Sequence, residues 1–171
     1  MSLKTIFLDR DGVINQDLKY VYKINDFIFI KGIFESCLYL QNLGYKIIIV
    51  TNQSGISRGY FSENDYQKLT KWMLNEFNNN QINILDIFYC PHGPKSNCSC
   101  RKPNTGLLIE AQMKYSIDME NSWMIGDKES DISAAINAGV KNTILISNSQ
   151  SDSNSKYIID SLEKIQKIIM N

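Results

Sequence analysis

The sequence predicts an α/β fold, a Rossmann-like doubly wound parallel sheet in a single domain spanning residues 1–171, and three observations carry that prediction. Short β-branched or aromatic runs alternate with segments of helical period. Chemistry-bearing polar residues follow each run where the strand would end. The chain has 171 residues, 43% of them hydrophobic and 11% aromatic, enough for one domain with a proper core and little room for a second.

Five runs read as core strands: 5–8, 46–50, 84–89, 122–125 and 142–146. Between the first two, residues 33–43 read as a helix with Phe34, Cys37, Leu38 and Gln41 near one stripe, ended by Gly44 as a left-handed cap. Ser62 and Asp65 form a capping-box pattern, and Tyr66, Leu69, Met73 and Phe77 follow at spacings of three and four until the polar run Asn78-Asn79-Asn80. Further helices are expected over 105–115 and 130–138, each crossing between parallel strands. Residues 147–155 read as a solvated loop, and Leu162, Ile165, Ile168 and Ile169 as a last amphipathic helix.

Composition narrows the partners. Lys+Arg and Asp+Glu both count 18, so the formal charge is zero, and no like-charge block suggests a nucleic-acid groove or a membrane-binding face. The first residues run straight into an apolar strand, without a signal-peptide core or the roughly 20 apolar residues of a membrane span. A cytoplasmic, monomeric protein acting on a small molecule is expected. In a reducing compartment its four cysteines read as thiols or metal ligands.

In an open parallel sheet, ligands sit beyond the carboxyl ends of the strands. There the sequence places Asp9 and Asp11, then Thr51-Asn52-Gln53-Ser54-Gly55, then a Cys/His loop ending in Arg101-Lys102-Pro103, then Gly126-Asp127-Lys128 with Asp131 beyond. Each run alone is an ordinary turn by its chemistry. Four in order at four strand ends suit phosphate-ester hydrolysis. Residues two apart on extended chain face the same way, so one of Asp9 and Asp11 could attack phosphorus while the other handles the proton. Asp9, Asp127 and a carbonyl of the Asp11 segment suit Mg²⁺, a hard cation with oxygen ligands. Thr51, Lys102 and nearby backbone N–H groups would hold the equatorial oxygens as charge gathers on them.

These four runs, with Gly12 and Val13 completing the first, resemble the motifs of the haloacid dehalogenase-like superfamily over residues 5 to about 146. The resemblance implies that Asp9 is nucleophile and Mg²⁺ ligand, Asp11 general acid and then base, Thr51 and Lys102 phosphoryl ligands, and Asp127 a further Mg²⁺ ligand. An Asp at position 11 resembles the phosphatase branch. No insertion after the first or second strand is large enough for a cap domain, so a haloacid dehalogenase-like fold without a large cap is expected, its substrate gripped by loops.

Cys90, His92, Cys98 and Cys100 place four soft or borderline donors within eleven residues, the set that tetrahedral Zn²⁺ takes. Four protein ligands leave no position for water, so the ion would be structural and would fix the loop carrying Arg101 and Lys102. This pattern followed at once by Arg-Lys-Pro is similar to the D-glycero-D-manno-heptose 1,7-bisphosphate phosphatases and their histidinol-phosphate phosphatase relatives. The segment from Asn15 through Asp17, Leu18, Lys19 and Tyr20 to Tyr22 lies where the heptose enzymes have a substrate loop, and Arg101 matches their substrate-recognising position. By that resemblance Asn52, Gln53, Ser54 and Lys128 also contact substrate. Two departures stand out: residues 93–97 are shorter than in many members, and Leu18-Lys19 replaces a small or imidazole-bearing pair. The leading expectation is removal of the C7 phosphate of heptose 1,7-bisphosphate in nucleotide-heptose synthesis for surface polysaccharide. Histidinol phosphate is the alternative substrate, a non-catalytic phosphosugar-binding module the alternative class, and 3′-phosphate removal from nucleic acid a third reading that the neutral charge disfavours.

Overall fold

The computed structural model describes residues 2–149 and 152–170. Six strands, β1 (Thr5–Leu8), β2 (Lys46–Asn52), β3 (Ile84–Cys90), β4 (Trp123–Gly126), β5 (Asn142–Ile146) and β6 (Tyr157–Ile159), pair in the order β3-β2-β1-β4-β5-β6. Every pairing is parallel. The order reverses direction at β1, which puts the crevice of a doubly wound sheet at the end of the strand that Asp9 follows.

Alternation along the strands builds one core on each face. Ile6 and Leu8, Ile47 and Ile49, Trp123 and Ile125 pack with α1 (Ile33–Asn42), α2 (Glu63–Asn79) and α5 (Ile165–Ile168). Phe7, Ile48, Val50 and Met124 point the other way, onto α3 (Gly106–Tyr115) and α4 (Glu129–Asn137). With both faces covered, central strands carry continuous apolar runs.

Most expected elements form. The Ser62–Asp65 capping box closes reciprocally, Asp65 N–H donating to Ser62 Oγ at 3.1 Å and Ser62 N–H to Asp65 Oδ2 at 3.0 Å. Tyr66, Leu69, Met73 and Phe77 are all buried. Four expectations need correction. The buried stripe of α1 is Ile33, Ser36, Cys37 and Leu40, rotated from the expected one. Phe34 and Leu38 only flank the core, and Gln41 sits at its edge, donating to Gln81 O and accepting from Asn83 N–H. The run 84–89 is an edge strand rather than a core one. A sixth strand, β6, extends the sheet beyond the loop expected at 147–155, of which residues 150 and 151 lie outside the described residues. The last helix is shorter than its periodicity suggested: a 3-10 turn over Leu162–Lys164 leads into α5, and Leu162, Ile165 and Ile169 are buried.

No helix among the described residues is long and apolar enough to cross a membrane.

Candidate active site

Beyond β1, β2 and β4 opens a cavity of about 560 Å³, within the range of small-ligand sites. Asp9, Asp11, Asn52, Lys102, Lys128 and Asp131 line it, with Arg101 and Pro94 from the loop after β3. Asp9 leaves β1 with its N–H donating to Ile125 O on β4 at 3.1 Å, which fixes the turn at the crevice.

Lys102 organises the floor. Its ammonium is 3% exposed and donates to Asp9 Oδ1 at 2.9 Å and Val50 O at 2.6 Å, and it pairs with Asp131 Oδ1 at 2.7 Å. Burial alone would lower its pKa, but Asp131 and Asp9 outweigh that and hold it above its ordinary value. Asn52 fixes the lysine's backbone, accepting from Lys102 N–H and donating to Lys102 O, each at 3.1 Å. The amide of Asn52 is therefore engaged with the chain as well as lining the cavity.

Asp9, Asp127 and Asp131 bring one carboxylate oxygen each within 4.8 Å of one another. Burial raises Asp9 above the usual carboxylate range, with Lys102 opposing and Asp131 adding to the rise. Burial and then the Asp9 charge push Asp127 up to about 7. Three carboxylates around one cation are under-compensated, and Asp127 Oδ1 is buried with no hydrogen-bond partner among the described residues. An oxygen-seeking divalent cation fits that deficit. Two glycines make the approach possible. Gly12, at φ +95°, would place a Cβ 2.1 Å from Asp127 Oδ2, and Gly126 would place one 2.4 Å from Asp131 Cβ. Asp131 also accepts from Lys128 N–H at 3.1 Å, so one carboxylate starts α4 and pairs with Lys102.

The Asp11 carboxylate stands outside this cluster. It accepts from Arg10, from Asn15 Nδ2 at 2.9 Å and from Gln53 Nε2 at 3.0 Å. Gln53 also donates to Thr51 Oγ1 at 2.9 Å. Thr51 is 1% exposed and lies under the cavity rather than in its wall. Of the expected substrate loop, Asp17, Lys19 and Tyr20 reach the cavity, and Lys128 Nζ meets Asp17 Oδ2 at 2.9 Å. That pairing outweighs burial and lowers the pKa of Asp17. Leu18 points away and is 52% exposed. Ser54 lines the cavity. Sequence reasoning assigned no role to Arg10, Pro94, Ser130 or Asp131. For Asp131 the signal was present, an acidic residue at the third position of a helix beside the Gly126-Asp127 turn.

The second donor cluster forms as its spacing implied. Cys90 Sγ lies 3.0 Å from Cys100 Sγ and 3.7 Å from Cys98 Sγ, and His92 Nδ1 lies 3.5 Å from Cys90 and 3.3 Å from Cys100. A tetrahedron with arms of about 2.3 Å has edges of roughly 3.8 Å, so the four donors can close on one ion. Arg101 follows the last donor and donates to His92 O at 3.2 Å, which ties this loop to the cavity wall.

Residues 99–165 match the family model described as "HAD-hyrolase-like". The chain is 51% identical over 146 residues to the D-glycero-alpha-D-manno-heptose-1,7-bisphosphate 7-phosphatase of Campylobacter jejuni, covering 85% of this chain and 84% of that one. It belongs to the haloacid dehalogenase-like heptose bisphosphate phosphatase family. Among heptose bisphosphate phosphatases it is also 41% identical to the D-glycero-beta-D-manno enzyme of Photorhabdus laumondii over 98% of this chain and 96% of that one. The crystal structure of D,D-heptose 1.7-bisphosphate phosphatase from B. bronchiseptica, complexed with magnesium and phosphate, superposes with a TM-score of 0.88 at 28% identity, covering 98% of this chain and all of the other. Family membership makes the chain a phosphatase acting on phosphomonoesters.

Proposed function

We propose that the chain is a single-domain, cytoplasmic, monomeric phosphatase that removes the C7 phosphate of D-glycero-D-manno-heptose 1,7-bisphosphate, within nucleotide-heptose synthesis for surface polysaccharide. The observation that carries the reading is Asp9 held by Lys102 beside Asp127 and Asp131, at the crevice of a chain about half identical to a named heptose bisphosphate phosphatase. Neutral charge and a small cavity favour a sugar phosphate over nucleic acid.

Lys102 fixes the carboxylate plane of Asp9 against the floor. An Asp9 oxygen forms the new bond to phosphorus as the bond to the sugar oxygen breaks, and the departing oxygen takes the proton of Asp11. Asp11, now a carboxylate, accepts the proton of a water that attacks the aspartyl-phosphate and restores Asp9. Asp127 and Asp131, with Asp9 and a backbone carbonyl of the Asp11 segment, are the groups that would hold Mg²⁺. Bound there, Mg²⁺ supplies neutralisation of the carboxylates and the phosphoryl oxygens. Lys102 and the backbone N–H groups after Thr51 bear on the equatorial oxygens, and Arg101, Asp17, Lys19, Tyr20, Asn52, Ser54 and Lys128 bear on the sugar. Thr51 contributes its hydroxyl through the Gln53 contact. Cys90, His92, Cys98 and Cys100 hold a structural Zn²⁺ that orders the wall carrying Arg101.

A kinetic panel of both anomers of heptose 1,7-bisphosphate and histidinol phosphate tests this. The bisphosphate should be preferred, and Asp9→Asn should abolish turnover. Preference for histidinol phosphate by roughly tenfold, about 1.4 kcal/mol in transition-state binding, overturns the substrate. Phosphosugar binding without Mg²⁺-dependent phosphate release would replace the enzyme with a binding module.

A further inference from the structure

Arg10 stands between the two aspartates of the first motif, and a charged residue is ordinarily found at the surface. Instead it is 2% exposed, among the largest fully buried side chains of the protein. Burying a guanidinium is costly unless it is paired and hydrogen-bonded. Here its partners are specific. Nη2 donates to Asp11 Oδ1 and Oδ2, both at 2.9 Å, and Nε to Oδ2 at 3.2 Å. Nη2 also donates to Val21 O at 2.9 Å. The guanidinium lies 6.0 Å from the Phe27 ring centroid. Arg10 is not among the residues that line the cavity, whereas Asp11 is.

We propose that Arg10 is a positioning residue for proton transfer. It grips the Asp11 carboxylate through Nε and Nη2 and, through Val21 O, ties it to the far end of the substrate loop whose Asp17, Lys19 and Tyr20 face the cavity. Asn15 Nδ2 and Gln53 Nε2 complete the grip, so that Asp11 has three anchors on the protein side and its approach to the leaving oxygen is set by them. Lys19 and Tyr20 adopt positive φ of 61° and 56°, a conformation that bulky residues adopt rarely and that the surroundings must hold in place. Val21, which follows, is buried and carries the carbonyl that Arg10 holds. Seating of the substrate loop and aim of the proton donor are thereby one mechanical unit. A lysine at position 10 supplies a charge without the planar fork that meets a carboxylate and a carbonyl together.

The inference rests on Asp11 as the proton donor of the proposed reaction, and leaving-group dependence separates the two. In the full chain with Mg²⁺ and Zn²⁺ present, kcat/KM is measured for an alkyl ester, glycerol phosphate, and an aryl ester, p-nitrophenyl phosphate, whose departing oxygen needs no proton. This parameter reports steps through cleavage of the ester bond. Asp11→Asn should lower it by roughly a hundredfold more for the alkyl than for the aryl ester, the scale of general-acid catalysis. Failure of that control overturns the role of Asp11 itself. Given the control, Arg10→Met should show the same selective loss, and Arg10→Lys a loss of the same kind, partly recovered. Adding Arg10→Lys to Asp11→Asn should cost less than about twofold more. Equal losses on both esters, no loss on either, or full additivity with Asp11→Asn overturns the proposal. If Arg10→Met does not fold, the Arg10→Lys cycle decides alone.

Discussion

Replacing Lys102 with methionine removes a charge while keeping most of the stem volume, so it isolates the electrostatics of the cavity floor. The ammonium has three oxygen partners at 2.6 to 2.9 Å. Without it, Asp9, Asp127 and Asp131 share one small region with Lys128 the nearest described cation, 3.7 Å from Asp127. Removing one partner of a buried ion pair costs about 3–5 kcal/mol, because the remaining charge is left uncompensated in a poorly solvated site. The carboxylates can escape part of that cost by taking up protons. Asp9 and Asp127 already have folded pKa values raised above their ordinary ones, so the folded state binds more protons and stability falls as pH rises through that window. The deficit of Lys102→Met should therefore be about 3–5 kcal/mol at pH 8 and smaller at pH 5. Urea unfolding followed by tryptophan fluorescence, without added Mg²⁺, reads it at both pH values. Turnover should fall by roughly a hundredfold or more, the scale of one transition-state donor. A deficit under about 1 kcal/mol at pH 8, or an equal one at both pH values, refutes the account of the floor.

Four further outcomes follow from the same geometry. In the metal-free chain, Asp127 is pushed from 3.8 to about 7, so its contribution to stability declines as pH rises across that window; the Tm gain from millimolar Mg²⁺ should be larger at pH 8 than at pH 5, and Asp127→Asn should remove the difference. Gly12→Ala puts a methyl group 2.1 Å from Asp127 Oδ2 at a φ of +95°, and should cost about 1–2 kcal/mol in urea unfolding and displace the carboxylate enough to lose most turnover. Native mass spectrometry should find one Zn²⁺ per chain, lost in Cys98→Ser with lower kcat/KM, whereas Cys37→Ser should keep the ion because its buried thiol lies away from the cluster. Leu18→Ala, exposed and off the cavity, should stay within about 0.5 kcal/mol in stability and about twofold in kcat/KM.

Elements whose signals are local were legible in the sequence. The Ser62–Asp65 box needs four residues to be recognised and closes as its chemistry dictates. The strand ends before Asp9 and Asp127 were legible because a buried parallel strand is continuously apolar and stops where polar groups begin, whereas β2 continues through Thr51 to Asn52 by pairing with β3. Features set by neighbours distant in the chain were not. Nothing in the run 84–90 reveals that β3 has a partner on one side only. Strand β6 has three residues, two of them exposed, and becomes a strand because β5 offers an edge. In α1, periodicity marked a stripe through Phe34, Leu38 and Gln41, while packing chose its neighbours Ile33, Leu40 and Ser36, whose hydroxyl donates to Leu162 O from 126 residues away.

The same limit explains which site residues were found. A charged residue in a sequence reads as surface, since an isolated buried charge is prohibitively expensive. It becomes interior only when a partner arrives, and the partner is seldom near in sequence. Lys102 meets Asp9 across 93 positions, and that meeting makes a lysine the floor of the cavity. The phosphatase motifs could be read without the fold because the chemistry demands residue types at strand ends. Arg10 could not, since its role depends on contacts that the types alone do not specify, and for Asp131 the sequence signalled the start of α4 but not the pairing with Lys102. Asp131 starts α4 with one oxygen, and its other oxygen faces Lys102. Arg10 carried no role in the sequence, and its burial against Asp11 and Val21 is visible only once the loop after β1 has folded back over it. What the motif residues do can be inferred from chemistry; what holds them at the required angles belongs to residues whose importance is created by packing.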